Sequence, residues 1–254
     1  MRPIKRRAKE RIEETRRPSD LFMPRAYDRA ITIFSPEGRL YQVEYALELV
    51  KRGAPIIGVS SPQGIVIVAN ETPESVLEDG DYFRKIFQLD EHVCMAIAGL
   101  SSDARVLINQ ARVYSQSNRL IYNEPIDIEI LARRLSDIAQ VYTQHAGVRP
   151  FGVSTILAGI DATGPRVMTT DPSGSYRGYK ATSVGRKSEE SNKLLEEKYK
   201  DDITLDSAIS LAIEAVKIAS DGALSPSNIK AAVVPIETKV FKRLSDSQVQ
   251  QHMR

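Results

Sequence analysis

The chain has 254 residues, a formal net charge of +2, 42% hydrophobic and 27% charged residues, the composition of a soluble globular chain long enough to bury one large core. No apolar run approaches the roughly 18 residues of a membrane span, the charged N-terminus does not resemble a secretory signal, and a single cysteine, Cys94, excludes an internal disulfide or a cysteine-rich metal site. The near-neutral balance gives no global field for nucleic acid, and the absence of tryptophan argues against a base-stacking surface; a cytoplasmic location is expected.

Residues 1–26 read as a charged tail, "MRPIKRRAKERIEETRRPSD" being rich in arginine and lysine. The interleaved Glu10, Glu13 and Glu14 suit i,i+3 and i,i+4 pairing on a solvated helix better than a nucleic-acid arm. Residues 27–53 form an opening stretch within a single domain, 27–254, with no Gly/Ser linker and no internal repeat. In it Ser35-Pro36-Glu37-Gly38 is a turn, because proline presets φ and glycine relaxes the next bend. Leu40, Val43, Leu47 and Val50 follow at helical spacing, and Gly53 stands just past them, where a helix end favours glycine. This helix has one apolar stripe, which must lie across one end of the domain or on a neighbouring chain.

"PIIGVSS" and "GIVIVAN", on either side of Pro62-Gln63, read as a strand pair. "KIFQLD" and "HVCMAIAG" make a second pair around Asp90-Glu91, and their near-continuous apolar runs require cover on both faces. Cys94 is there a small core residue. Two long helices follow: one capped by Ser101 or Ser102, with Ala104, Leu107, Ile108, Ala111 and Tyr114 on its face; one after "NEPID", with Ile128, Leu131, Leu135, Ile138 and Tyr142. Strands return in "FGVSTILAGI", "GPRVMTTD" and "SYRGYKATSVG", with a turn at Asp171-Pro172-Ser173-Gly174. Helices come at "KSEESNKLLEEKY", whose charges form a wet face, and "LDSAISLAIEAVKIAS". "IKAAVVPIE" closes the sheet, and "SDSQVQQHM" adds a terminal turn of helix.

Clustered strands followed by paired helices, twice, mean α+β. Two antiparallel sheets packed face to face, with a helix pair on each outer face, bury every stripe but that of the opening helix, and an unclaimed stripe favours self-association. His92, His145 and His252 lack metal-ligand spacing, and "GIDATGPR" lacks the strand-to-helix context of a phosphate loop, so neither metal nor cofactor is expected.

The opening stretch resembles the signature of α-type proteasome subunits, most of all archaeal ones. Tyr27-Asp28-Arg29, Ser35-Pro36-Glu37-Gly38-Arg39 and Gln42-Val43-Glu44-Tyr45-Ala46 stand in the family's order. Gly99-Leu100 with Asp103-Ala104-Arg105, "GVRPFGVSTILAGID" and Asp171-Pro172-Ser173-Gly174 extend the likeness over about residues 26–240. The resemblance implies a four-layer αββα sandwich of the N-terminal-nucleophile hydrolase type with an extra N-terminal helix, in agreement with the element order above.

The resemblance also implies that the chain is not itself an enzyme. Catalytic relatives attack with an N-terminal threonine whose own amine activates the hydroxyl. Ala54 stands in that place, without a hydroxyl and inside the chain. Asn70 replaces the usual acid at the end of the second strand. Lys85 matches the lysine kept beside the nucleophile, but has no nucleophile to serve. An active amidohydrolase or peptidase of the same fold is the alternative, and a nucleic-acid-binding adaptor acting through the basic tail a remoter one.

What the family does then sets the expectations. Its α subunits form seven-membered rings that stack on β subunits, admit unfolded protein chains through an axial gate, and dock ATPase or other ring activators by their C-terminal tails. The gate residues would be Tyr27, Asp28, Arg29, Pro36 and Tyr45, with tyrosine hydroxyls donating to the aspartate and proline holding the turn. The bland alternative makes Tyr27 and Tyr45 half-buried anchors of the first helix. The activator-tail pocket would be Gly53, Lys85 and Leu100, with Lys85 meeting the tail carboxylate, against the plainer reading of Lys85 as a surface lysine at a strand edge. The tail ahead of Tyr27 exceeds the family pattern: either Met23 is the native start, or the extension is a real plug or binding arm.

Overall fold

A computed structural model describes residues 33–73, 75, 77–78, 84–220 and 224–253. The charged tail and Tyr27, Asp28 and Arg29 lie outside the described residues. Helix α1 (Tyr41–Arg52) leads into β1 (Ile56–Ser61), β2 (Gly64–Asn70), β3 (Ile86–Gln88) and β4 (Val93–Gly99). Helices α2 (Ser101–Tyr122) and α3 (Ile128–Gln144) precede β5 (Val153–Asp161), β6 (Gly164–Thr170), β7 (Tyr176–Tyr179) and β8 (Ala181–Val184). Then come α4 (Ser188–Lys198), α5 (Leu205–Ala219), β9 (Ile229–Pro235), β10 (Lys242–Arg243) and α6 (Asp246–Gln251).

The strands form two antiparallel five-stranded sheets, ordered β10-β9-β2-β1-β8 and β3-β4-β5-β6-β7. Strand alternation sorts each apolar run between two layers of core. On β2, Ile65, Ile67 and Ala69 enter the core between the sheets, where Cys94, Ala96 and Ala98 of β4 and Ile156 and Ala158 of β5 meet them. Val66 and Val68 point the other way, into the layer of α4 and α5. Val93, Met95 and Ile97 of β4 pack with Leu107, Ala111, Leu131 and Leu135 of α2 and α3. Both faces of both sheets are thus covered, which is why these strands read as unbroken apolar runs. The four-layer αββα sandwich is present as expected.

Four local expectations change. "SYRGYKATSVG" is two strands in different sheets: β7 pairs with β6, the chain crosses at Lys180, and β8 pairs with β1. "IKAAVVPIE" does not close its sheet, because β10 adds outside β9. Neither Ser101 nor Ser102 caps α2; Leu100 holds the N-cap position without a side-chain bond. The stripe of α1 is claimed within the chain: Val43, Ala46 and Val50 are buried against the ends of β4 and β5. Burial of a valine side chain stabilises by about 1.5–3 kcal/mol, so the stripe is no independent argument for self-association. The first of its two expected positions, across one end of the sandwich, is the observed one.

Candidate functional site

The turn that precedes α1 is built as its residues predict. Ser35 donates its N–H to the Arg39 carbonyl at 2.9 Å, and its carbonyl accepts the Gly38 N–H at 2.8 Å, while its hydroxyl oxygen accepts the Arg39 N–H at 3.1 Å. Gly38 has φ +77°, a left-handed conformation that favours glycine, and Pro36 sits exposed at the corner. The Arg39 guanidinium stacks 5.0 Å over the Tyr41 ring and pairs with Glu44 through both arms. That hydrogen bond and charge hold the Glu44 carboxyl below its usual range, but an exposed pair contributes little stability. Tyr45 is 51% exposed and lines an open cavity of about 580 Å³ with Leu47, Glu48 and Val184. It is thus only half-buried and lies outside the buried stripe of Val43, Ala46 and Val50.

The C-terminal end of β4 gathers several predicted residues. Gly53 ends α1 with φ −63°, so no left-handed backbone calls for glycine here. Its reason is close approach: a Cβ would lie 2.7 Å from the Gly99 nitrogen and 3.1 Å from the Val50 oxygen. Leu100 follows Gly99, donates its N–H to the Gly152 carbonyl at 2.9 Å and starts α2. One turn into that helix, Asp103 accepts both arms of Arg149, at 2.6 and 2.9 Å, and the Gly152 N–H at 2.8 Å. These bonds, Arg149 foremost, hold the Asp103 carboxyl below its ordinary value. Two motifs 46 residues apart are thereby joined beside Leu100.

Lys85 stands at the same end. Its carbonyl accepts the Ile97 N–H of β4 at 3.1 Å, two residues before Gly99 and three before Leu100. The backbone therefore brings Gly53, Lys85 and Leu100 to one end of β4. Lys85 is only 8% exposed, which removes the surface-lysine reading, and Glu71 and Arg243 bond the backbone at this start of the edge strand β3. The Glu71 carboxylate accepts the N–H groups of Lys85 at 2.7 Å and Ile86 at 3.2 Å. The Arg243 guanidinium donates to the Ile86 carbonyl.

Around the position of a catalytic relative's threonine the chain is held on both sides. The Gly53 carbonyl accepts the Arg186 N–H at 2.8 Å, and the Pro55 carbonyl accepts the Asn70 N–H at 3.1 Å. Ala54 lies between them in continuous backbone. The Asn70 side chain donates to the Ser220 hydroxyl at 3.0 Å and accepts the Thr72 N–H at 3.0 Å. The arrangement has neither a hydroxyl nor a free amine where the fold would put an attacking group.

Among the described residues no three His, Cys, Asp or Glu side chains gather as a metal site, and no helix is long and apolar enough to cross a membrane. Glu71 and Arg243 escaped sequence reasoning, because nothing local signals an acid that bonds backbone 14 and 15 residues on or an arginine that reaches 157 residues back.

Comparison with known proteins places the chain among them as follows. The family described as "Proteasome subunit" matches residues 50–234, and the N-terminal signature of A-type proteasome subunits matches residues 27–48. The chain is 47% identical over 227 residues to the proteasome alpha subunit of Methanothermobacter thermautotrophicus, covering 89% of this chain and 92% of the relative. It is 49% identical over 221 residues to the proteasome alpha subunit of Methanocaldococcus jannaschii, covering 87% and 84%. The proteasome alpha 1 subunit of Haloferax volcanii is 46% identical over 228 residues, 90% of each chain.

Proposed function

The chain belongs to the proteasome subunit family, as a non-catalytic α-type member, and from that premise we propose that it forms the outer, seven-membered rings of a proteasome core, gates the entry of unfolded chains, and docks activators by their C-terminal tails. Its partners are further copies of itself, the β subunits that carry the proteolytic chemistry, and ATPase or other ring activators.

The observation that carries the docking assignment is the burial of Lys85 at the end of β4 that also holds Gly53 and Leu100. A cation shielded from water attracts an incoming carboxylate more strongly than an exposed one does, because the surroundings screen it less. A tail carboxylate entering between adjacent subunits would gain a charge-assisted bond worth roughly 1.5–3 kcal/mol there. Gly53, which has no room for a side chain, and Leu100, partly buried, would line its path. For the gate, Pro36 and Tyr45 are exposed ahead of and on α1. They are open to contact with a neighbouring subunit, and Tyr27, Asp28 and Arg29 would complete the cluster.

The test is assembly and stimulation. The purified chain should run as a ring on native mass spectrometry and cleave no peptide alone. In core particles built with β subunits, Lys85→Ala should spare assembly and basal hydrolysis but weaken activator-stimulated proteolysis. A monodisperse monomer at high concentration refutes the ring, and unchanged stimulation refutes the pocket.

A further inference from the structure

We propose that Glu71 is the positioning residue for Lys85, setting the height at which this lysine meets an activator's tail carboxylate. The proposal rests on the docking function assigned to Lys85 above and adds a residue from outside the tail pocket.

Strand β3 is three residues long and lies at the edge of its sheet, paired with β4 alone. So short an edge strand has few ladder bonds to fix its register. Lys85 immediately precedes it. The consecutive N–H groups of Lys85 and Ile86 both end on one oxygen of Glu71, at 2.7 and 3.2 Å. Glu71 comes from the opposite sheet, one residue past β2, and is itself 7% exposed. Its own N–H is tied to the Asn228 carbonyl at 2.8 Å. From β10, Arg243 holds the Ile86 carbonyl.

The first sheet therefore clamps the start of β3 with an acid on its donors and a base on its acceptor. Bonds from a carboxylate to buried backbone donors are among the stronger ones, and removing the acceptor strands both N–H groups. Arg243 senses the same carboxylate: burial pushes its guanidinium below the ordinary arginine value, and the charge of Glu71 works against that push. Glu71 needs no contact with the tail for this role. It fixes the backbone from which the lysine side chain departs, and a bond to a tail carboxylate tolerates little displacement.

The experiment uses intact core particles with their β subunits. It titrates a synthetic peptide copying an activator's C-terminal tail and reads stimulated hydrolysis of a small fluorogenic peptide. The amidated tail peptide, which lacks the terminal carboxylate, is the control. Glu71→Ala should raise the half-maximal tail concentration by about tenfold, the order of losing one good hydrogen bond, leaving the maximal stimulated rate and the unstimulated rate as they were. Glu71→Gln keeps an acceptor oxygen at the same reach and should stay within about threefold of the parent. Glu71→Asp falls one methylene short and should shift more than Glu71→Gln.

If Lys85→Ala shifts the half-maximal concentration and Glu71→Ala does not, the positioning role is wrong and the pocket stands. If neither shifts it, the pocket itself is wrong. Should Glu71→Ala fail to assemble, the two conservative variants decide: equal curves for Asp and Gln overturn the proposal, and rescue by Gln alone supports it.

Discussion

Arg149 and Asp103 form a two-armed ion pair, Nη1 to Oδ2 at 2.6 Å and Nη2 to Oδ1 at 2.9 Å, that ties the first turn of α2 to the entry of β5. The same carboxylate takes the Gly152 N–H, and the Gly152 carbonyl in turn takes the N–H of Leu100. Helix, strand and the Leu100 backbone thus share one acid. Arg149 is largely exposed while Asp103 is largely buried, so the backbone bond, rather than the charge pair, carries most of the stabilisation.

Asp103→Ala should therefore cost about 1–3 kcal/mol, the range for stranding a buried donor, and Arg149→Ala clearly less. Thermal or urea unfolding of the two variants measures the order. Equal losses would show that the guanidinium contributes more than its exposure allows.

Acid should weaken the fold at Asp90. Asp90 is buried, which alone would raise its pKa, but hydrogen bonds from Arg119 at 2.7 Å and the Glu91 N–H at 2.8 Å overcome burial and leave it below the ordinary value. A carboxyl depressed on folding contributes stability that is complete above its unfolded-state pKa and lost as pH falls through the folded value. The stability gap between the parent and Asp90→Asn should be widest near neutrality and shrink below about pH 4. Melting curves across that range check it; a gap independent of pH would refute the assignment.

Gly53→Ala should disturb both stability and docking. The backbone conformation accepts alanine, but its Cβ would press to 2.7 Å on the Gly99 nitrogen. Backbone cannot yield as a side-chain tip does, so a loss of about 1–3 kcal/mol is expected, with a raised half-maximal tail concentration in the stimulation assay. Unchanged melting would mean that α1 and β4 part more easily than their packing implies.

Ala54→Thr should not create a protease. The residue would gain a hydroxyl, yet its nitrogen stays in a peptide bond after Gly53, whose carbonyl is held by the Arg186 N–H at 2.8 Å. Without a free amine to take the proton the hydroxyl is a poor nucleophile. Assay of the variant ring alone against fluorogenic peptides should give no hydrolysis, and mass spectrometry should show no new N-terminus at position 54.

Deleting residues 1–25 tests the proposed gating role. If those residues obstruct the axial channel, basal peptide entry into the complete core should rise. Unaltered basal rates would assign them elsewhere.

Much of this was legible in the chain because local physics writes it there. The period of two in "GIVIVAN", the helical spacing of Ala104, Leu107, Ile108 and Ala111, and the turn chemistry of Ser35 to Gly38 follow from side-chain direction and backbone preference. The missing attacking group came instead through the family resemblance, which puts Ala54 where catalytic relatives carry a threonine, and alanine has no hydroxyl to attack with. Where those elements go is a different matter. Tyr176 to Val184 looks like one strand, but its halves belong to different sheets because Thr182 finds Gly58 across from it while Gly178 finds Met168. Lys85 looks like an exposed edge residue, but it is buried, and Glu71 and Arg243 arrive from the other sheet to brace the backbone of Lys85 and Ile86. Such contacts join segments far apart along the chain, and each forms only when many weak packing terms agree on one arrangement. The sequence by itself therefore determined most of the strands and helices and, through the family resemblance, that no threonine stands at position 54; tertiary structure alone decided which strands meet and which charges end up out of water.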